Sequence, residues 1–149
     1  MKTILFIFLY SSQIFTLSSL DFYKVFSSAN EKQIDDQILS LKNTKNAQQK
    51  VYLGALLMKK SDFQKDLKTK IATFKQGAEI LEKEIALDKN NIEYRFIRFI
   101  IQENAPKVLK YNINLEEDKK IILQNFKKSS SFLQKEIEKY AKISNSLKL

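Results

Sequence analysis

The chain has 149 residues and a formal net charge of +9, and 44% of its residues are hydrophobic. This length supports one domain with a self-sufficient core, and the balance of apolar and charged residues excludes a disordered chain. Two glycines and one proline argue against sandwiches and barrels, which need many turn residues. Cysteine and histidine are absent, which removes disulfides, thiolate chemistry and the commonest general base.

Residues 1–19 have the three-part composition of a secretory signal peptide. Lys2 supplies a positive start, ILFIFLY forms an apolar run, and small residues follow, so that cleavage is expected after Ser18 or Ser19. The run is shorter than the about 20 apolar residues that a membrane span needs. A retained membrane anchor and an N-terminal core helix are the alternatives. We expect an exported protein, periplasmic or secreted, without a transmembrane segment once the signal is removed.

Residues 20–149 are predicted to form a single α-helical domain. Five capping boxes, in which a polar residue precedes Glu or Gln by three positions, mark helix starts. They are Asn30 with Gln33, Asn46 with Gln49, Asn90 with Glu93, Asn114 with Glu117, and Ser131 with Gln134. Apolar spacings of three and four residues predict helices at 22–28, 31–42, 47–60, 67–88, 91–104, 115–127 and 132–145, with a short piece at 108–111. No alternating stretch is long enough to predict a strand.

Both glycines, Gly54 and Gly77, fall inside predicted helices. Glycine in a helix interior costs about 1 kcal/mol relative to alanine. We expect that a neighbouring helix approaches closely at both positions and offsets this cost.

Two stretches resemble the halves of a tetratricopeptide repeat. YLGALLMKKSDF resembles its first helix and turn, and LEKEIALDKNN resembles the end of its second helix. The matching positions of the first stretch are Leu53, Gly54, Leu57, Asp62 and Phe63. Lys89 stands where the repeat usually has proline, Asp66 stands where it has a small residue, and the interval is longer by about eleven residues. The resemblance implies antiparallel helical hairpins, one with an enlarged turn, stacked as a short right-handed superhelix.

Residues 46–127, which include ALDKNNIEYRFIRFIIQENAPKVLKYNINLEEDKKIIL, are similar to small exported bacterial proteins of unknown function. This similarity implies a tetratricopeptide-like helical core and export. It implies no activity, ligand or functional residue.

One polar stripe runs along the otherwise apolar segment 91–104. On a helix, Asn91, Arg95, Arg98 and Gln102 fall within an arc of about 60°. These are the only two arginines of the chain, and arginine binds carboxylates through two parallel hydrogen bonds and stays charged when partly buried.

Two interpretations of the stripe remain open. It forms an internal clamp, with Arg95 level with Glu84, Arg98 near Glu82 or Leu81, and Gln102 near Gly77. Alternatively, the four stripe residues line a groove and bind a carboxylate or another anionic group of a ligand.

No catalytic residue, metal ligand or cofactor is predicted. Glu116, Glu117 and Asp118 follow Asn114 at a helix start, where acidic side chains are stabilised by the helix dipole. The chain also has too few glycines for a phosphate-binding loop. We therefore do not expect an enzyme.

The function predicted from the sequence is binding, with a protein or peptide as the expected partner of an exported, helical-repeat-like protein. The alternative is a cationic exported protein that associates with anionic polymers or a membrane surface. Loss of Lys2 with the signal lowers the formal net charge from +9 to +8. The lysines are scattered and rarely exceed two in a row, which argues against an anionic partner such as nucleic acid, a membrane surface or an acidic glycan; nucleic acid is not expected. Self-association is a third possibility.

Overall fold

The computed structural model describes residues 18–149, and this part of the chain contains helices and no strand. The helices are α1 (Ser19–Phe26), α2 (Glu31–Leu41), α3 (Ala47–Lys60), α4 (Leu67–Leu87), α5 (Ile92–Asn104), α6 (Leu115–Asn125) and α7 (Ser131–Ala141). Short 3-10 turns at Ser61–Phe63, Lys107–Leu109 and Phe126–Lys128 follow α3, α5 and α6. The all-α prediction is confirmed. The predicted signal peptide lies outside the described residues except for Ser18 and Ser19.

Helix starts depend on side-chain caps, and the predicted caps are only partly correct. Asn30 and Asn46 accept hydrogen bonds from the backbone three residues ahead, as predicted. The caps of α5 and α7 are Asn91 and Ser130, each one position from the predicted residue. Asn114 makes no side-chain cap, because the start of α6 is held from α5 instead. Local sequence therefore sets these boundaries to within a residue or so.

The two glycines bring α3 and α4 into close contact, as expected. A Cβ atom at Gly54 would lie 2.7 Å from the carbonyl oxygen of Gly77 and 3.0 Å from the amide nitrogen of Leu81. A Cβ atom at Gly77 would lie 2.7 Å from the Cγ of Met58. Because position 54 meets 81 while position 58 meets 77, the two helices run antiparallel. Backbone-to-backbone contact of this kind is possible only without side chains.

Helix α3 lies at the centre of the fold and contacts α1, α2, α4 and α5. The ring of Phe22 from α1 stacks on the ring of Tyr52 from α3, with centroids 4.0 Å apart. Both side chains are fully buried. On α5, Phe96 and Phe99 each meet the edge of the Tyr140 ring from α7. Aromatic contacts therefore connect the first, central and last helices in one core.

In residues 18–149, no helix has the length and hydropathy that crossing a membrane requires.

Candidate functional site

The predicted polar stripe of α5 points into the protein. Arg95, Arg98 and Gln102 are each at most 4% exposed, whereas Asn91 is half-buried and caps the helix by accepting from the amide of Tyr94. Buried charges are stable only when they are paired and hydrogen-bonded. The partners of the two guanidinium groups therefore decide what the stripe does.

Three stripe residues converge on Asp118, a fully buried carboxylate on α6. Arg98 donates from Nε to Oδ2 at 2.8 Å and from Nη2 to Oδ1 at 2.7 Å, which is a bidentate pair. Arg95 donates from Nη1 to Oδ1 at 2.9 Å, and Gln102 donates from Nε2 to Oδ2 at 2.7 Å. The four hydrogen bonds satisfy both carboxylate oxygens. We call Arg95, Arg98, Gln102 and Asp118 the buried ion cluster.

Two further carboxylates pair with the arginines of the buried ion cluster. The second arm of Arg98 contacts Glu82, and the second arm of Arg95 lies 3.3 Å from Glu117. Burial by itself lowers the pKa of Arg98, but the hydrogen bonds to Asp118 and the attraction of Asp118 and Glu82 outweigh it and raise that pKa. The guanidinium of Arg98 therefore stays charged despite its burial. Arginine suits such a site because its donors are fixed in a planar fork.

The predicted partners of the stripe are partly wrong. Arg98 does meet Glu82, as the internal-clamp interpretation expects. Arg95 does not pair with Glu84, because Glu84 faces α3 and lies 3.4 Å from Lys50. Gln102 does not lie at Gly77; its Oε1 accepts from the backbone amide of Asn114 at 2.9 Å. This last bond holds the start of α6 in place of a side-chain cap.

Asp118 is the site residue that the sequence interpretation missed. Its neighbours Glu116 and Glu117 are exposed, as expected for acids in the first turn of a helix, but Asp118 is not. Leu115, Asp118 and Ile122 are spaced by three and four residues, so Asp118 lies on the apolar face of α6. This spacing was a usable signal, because an acid on an apolar face needs a buried cation.

The contacts of the stripe are those of an internal clamp that fastens α6 to α5. Gln102 reaches the start of α6 while Arg95 reaches Asp118 in its first turn, so these helices also run antiparallel. Ligand binding by Asn91, Arg95, Arg98 and Gln102 stays a prediction, since nothing in the described contacts tests it.

A second feature is an apolar groove of about 350 Å³ between α1, α3, α4, α5 and α7. We call it the α1–α7 groove. Its floor and walls are mainly aromatic and aliphatic, and include Tyr23, Phe26, Met58, Phe74, Phe96 and Ile101. Two oppositely charged pairs also line it. Lys59 lies 3.7 Å from Asp62, and Lys139 lies 4.0 Å from Glu136. The charged part of the groove is therefore electrically balanced.

Tyr23, one of the residues that line the α1–α7 groove, carries an unsatisfied polar atom behind the groove surface. Its hydroxyl is buried and has no hydrogen-bond partner among the described residues. Burial, with a smaller contribution from Glu93, raises the pKa of Tyr23 well above its ordinary value, so the hydroxyl is neutral and able to donate. Leaving such a group unsatisfied costs about 1–3 kcal/mol.

The wall formed by α7 is held by a carboxylate on α5. Glu103 accepts hydrogen bonds from the hydroxyl of Tyr140 at 2.6 Å, from Ser144, and from both the amide and the hydroxyl of Ser146. Burial alone raises the pKa of Glu103, but these hydrogen bonds outweigh it and lower that pKa below its ordinary value. Glu103 therefore fastens the C-terminal segment to α5 in its ionised form. We call this set of contacts the C-terminal fastening.

Within residues 18–149, no cluster of three or more acidic side chains is arranged to hold a metal ion. The chain matches no protein-family model, no curated protein and no solved structure at a significant level.

Proposed function

We propose that the chain is an exported, non-enzymatic binding protein that holds a short apolar segment of a partner polypeptide in the α1–α7 groove. The observation that carries the proposal is an open groove whose lining is mainly apolar and aromatic. Its volume is near the lower end of the range for ligand sites, about 300–1,000 Å³. A few side chains of a peptide fit this size better than a folded surface does.

The chemistry of the groove supports an uncharged apolar occupant. Lys59 and Lys139 are each compensated by a neighbouring carboxylate, so the groove does not concentrate positive charge for an anion. Peptide groups offer carbonyl oxygens, which the paired lysines at the groove can bind. Apolar side chains supply the affinity, and these polar contacts supply orientation.

The groove belongs to an all-helical domain, and the tetratricopeptide resemblance implies a way in which its helices stack. Two antiparallel pairs, α3–α4 and α5–α6, follow each other along the chain. We propose that these pairs stack with the right-handed offset of a short superhelix, and that the chain is exported after loss of residues 1–19. An experimental structure in which the pairs cross without that offset, or a secreted form that retains its first residues, would contradict these two parts of the proposal.

The test is selection of peptides from a random display library on the immobilised protein. We expect enrichment of apolar sequences, and loss of retention in an Ile100→Glu/Ile143→Glu variant, because both side chains line the groove. Neither side chain is fully buried, so the variant should fold. The matched control is Leu39→Glu, an exposed leucine on α2 outside the groove. Absence of enrichment, or equal retention by the groove variant, would refute the proposal.

Salt dependence separates this function from the cationic alternative. Groove binding of apolar peptides should change little with ionic strength, whereas binding to an anionic polymer weakens steeply as salt is raised.

A further inference from the structure

The loop between α5 and α6 presents two large aliphatic side chains to solvent. Val108 is 76% exposed and Ile113 is 84% exposed. They alternate with Lys107 and Lys110, which are also exposed. We call Lys107, Val108, Lys110 and Ile113 the loop surface. None of these residues lines the α1–α7 groove, so the loop surface is a separate feature.

Two inward-facing residues hold the loop surface in place. Leu109 packs against the core. Tyr111 donates its hydroxyl to Glu82 and sets its ring edge-on to Phe74, with centroids 5.3 Å apart. Since Glu82 also binds Arg98, the loop is tied to the buried ion cluster. These contacts of Leu109 and Tyr111 fix the loop so that the side chains of the loop surface point to solvent.

The backbone of Lys110 adds a further observation. It has a φ of 49°, which makes it the only non-glycine residue with positive φ in the described part of the chain. A lysine in the left-handed region costs more than glycine or asparagine would. Strain of this kind is concentrated at functional positions. At this position, Lys110 places an exposed positive charge between the protruding side chains of Val108 and Ile113.

The positive charge of the loop surface is available to a partner. Neither Lys107 nor Lys110 makes an ion pair with a described carboxylate, and the acids that follow in sequence are engaged elsewhere. Glu117 pairs with Arg95, and Glu116 pairs with Lys119. An anionic surface is thus complementary to this loop, and the formal net charge of +9 attracts the whole chain to the same surface.

We propose that the loop surface docks the protein on an anionic lipid bilayer. Val108 and Ile113 enter the boundary between headgroups and acyl chains, while Lys107 and Lys110 contact lipid phosphates. Basic side chains beside exposed aliphatic ones are the combination that binds such interfaces. A soluble polyanion satisfies the lysines alone and leaves both aliphatic side chains in water, which is why a bilayer fits the observations better. This inference goes beyond the peptide-binding function.

A tryptophan reporter tests the docking in the full chain, which has no natural tryptophan. The Val108→Trp variant should shift its emission to shorter wavelength with vesicles of equimolar phosphatidylcholine and phosphatidylglycerol. Lipids brominated in the upper acyl chain should quench it. Leu39→Trp, at a similarly exposed leucine on α2, should do neither. The fluorescence change reports only the surroundings of position 108, so insertion of the apolar N-terminal run into the bilayer cannot produce it.

Charge removal provides the second arm of the experiment. Lys107→Asn and Lys110→Asn should each weaken vesicle binding about fivefold, since a lysine near an anionic surface contributes about that factor. Asparagine tolerates positive φ, so the loop backbone is kept. The control pair is Lys65→Asn and Lys68→Asn, two exposed lysines just before and in the first turn of α4. The proposal is overturned if the control pair has the same effect. It is also overturned if the emission of Val108→Trp and Leu39→Trp shifts equally, or if Val108→Trp binds vesicles without a shift. Equal binding of the protein to neutral vesicles overturns it as well.

Discussion

Replacement of Asp118 tests whether the buried ion cluster is a structural clamp. Asp118→Ala removes the carboxylate that accepts four hydrogen bonds from Arg95, Arg98 and Gln102. The two guanidinium groups, both almost fully buried, then keep the carboxylates of Glu82 and Glu117 and, for Arg95, the backbone carbonyl of Lys89.

The expected cost follows from the burial of the charges. Removing one partner of a buried ion pair destabilises a protein by about 3–5 kcal/mol, because an uncompensated charge remains inside. For a domain of this size, that corresponds to a fall in melting temperature of roughly 10–20 °C. A triple variant, Arg95→Met/Arg98→Met/Asp118→Leu, removes all three charges and should be far less destabilised than Asp118→Ala, because apolar replacement of a buried cluster is often neutral.

The assay is urea unfolding of the variants, followed by circular dichroism, with differential scanning calorimetry as a second probe. Glu117→Ala is the matched control, since Glu117 also pairs with Arg95 but is 56% exposed. An exposed pair contributes about 0–1 kcal/mol. The buried ion cluster is not a structural clamp if Asp118→Ala and Glu117→Ala unfold at the same urea concentration. A triple variant less stable than Asp118→Ala would also contradict the clamp.

Three further predictions concern other parts of the fold. Gly54→Ala should destabilise by about 1–3 kcal/mol in urea unfolding despite better helix propensity, because its Cβ meets rigid backbone of α4; an unchanged midpoint would contradict the close contact. The pKa of Glu103 is lowered in the folded protein. Ionised Glu103 therefore stabilises the fold fully at a pH above its ordinary pKa, and this stabilisation is lost as the pH falls through the lowered pKa. Protection of the Ser146 amide against hydrogen exchange should fall together with this stabilisation on acidification, and Glu103→Gln should abolish this pH dependence. Tyr52→Phe should cost about 1–3 kcal/mol, because its hydroxyl bonds to Gln48 and Glu93, whereas Tyr23→Phe, which removes an unpartnered hydroxyl, should be neutral or stabilising; equal losses would contradict this difference.

The success of the helix predictions has a local cause. A helix requires apolar residues at spacings of three and four and a polar cap, and both are visible within a dozen residues. The range predicted for α3 agrees with its structure, and Asn30 and Asn46 cap where expected. The close approach at Gly54 and Gly77 was also predictable, because glycine has few other reasons to lie inside a helix.

The partners of the stripe were not predictable in the same way. Glu82 and Glu84 are two positions apart on α4 and so face different neighbours, and a small error in the register of two helices exchanges them. Asp118 lies 20 positions from Arg98, and only the packing of α6 on α5 brings them together. Sequence distance carries no information about such a contact.

By itself, the sequence determined that this chain is helical, where most of its helices begin and end, and that arginine would be paired with carboxylates or left for a ligand. The tertiary structure decided that Asp118 is the buried partner, that α7 closes one side of a groove, and that Val108 and Ile113 stay outside. The physical reason is the range of the interactions. Periodicity and capping act within one or two helical turns, whereas burial depends on which helices finally meet.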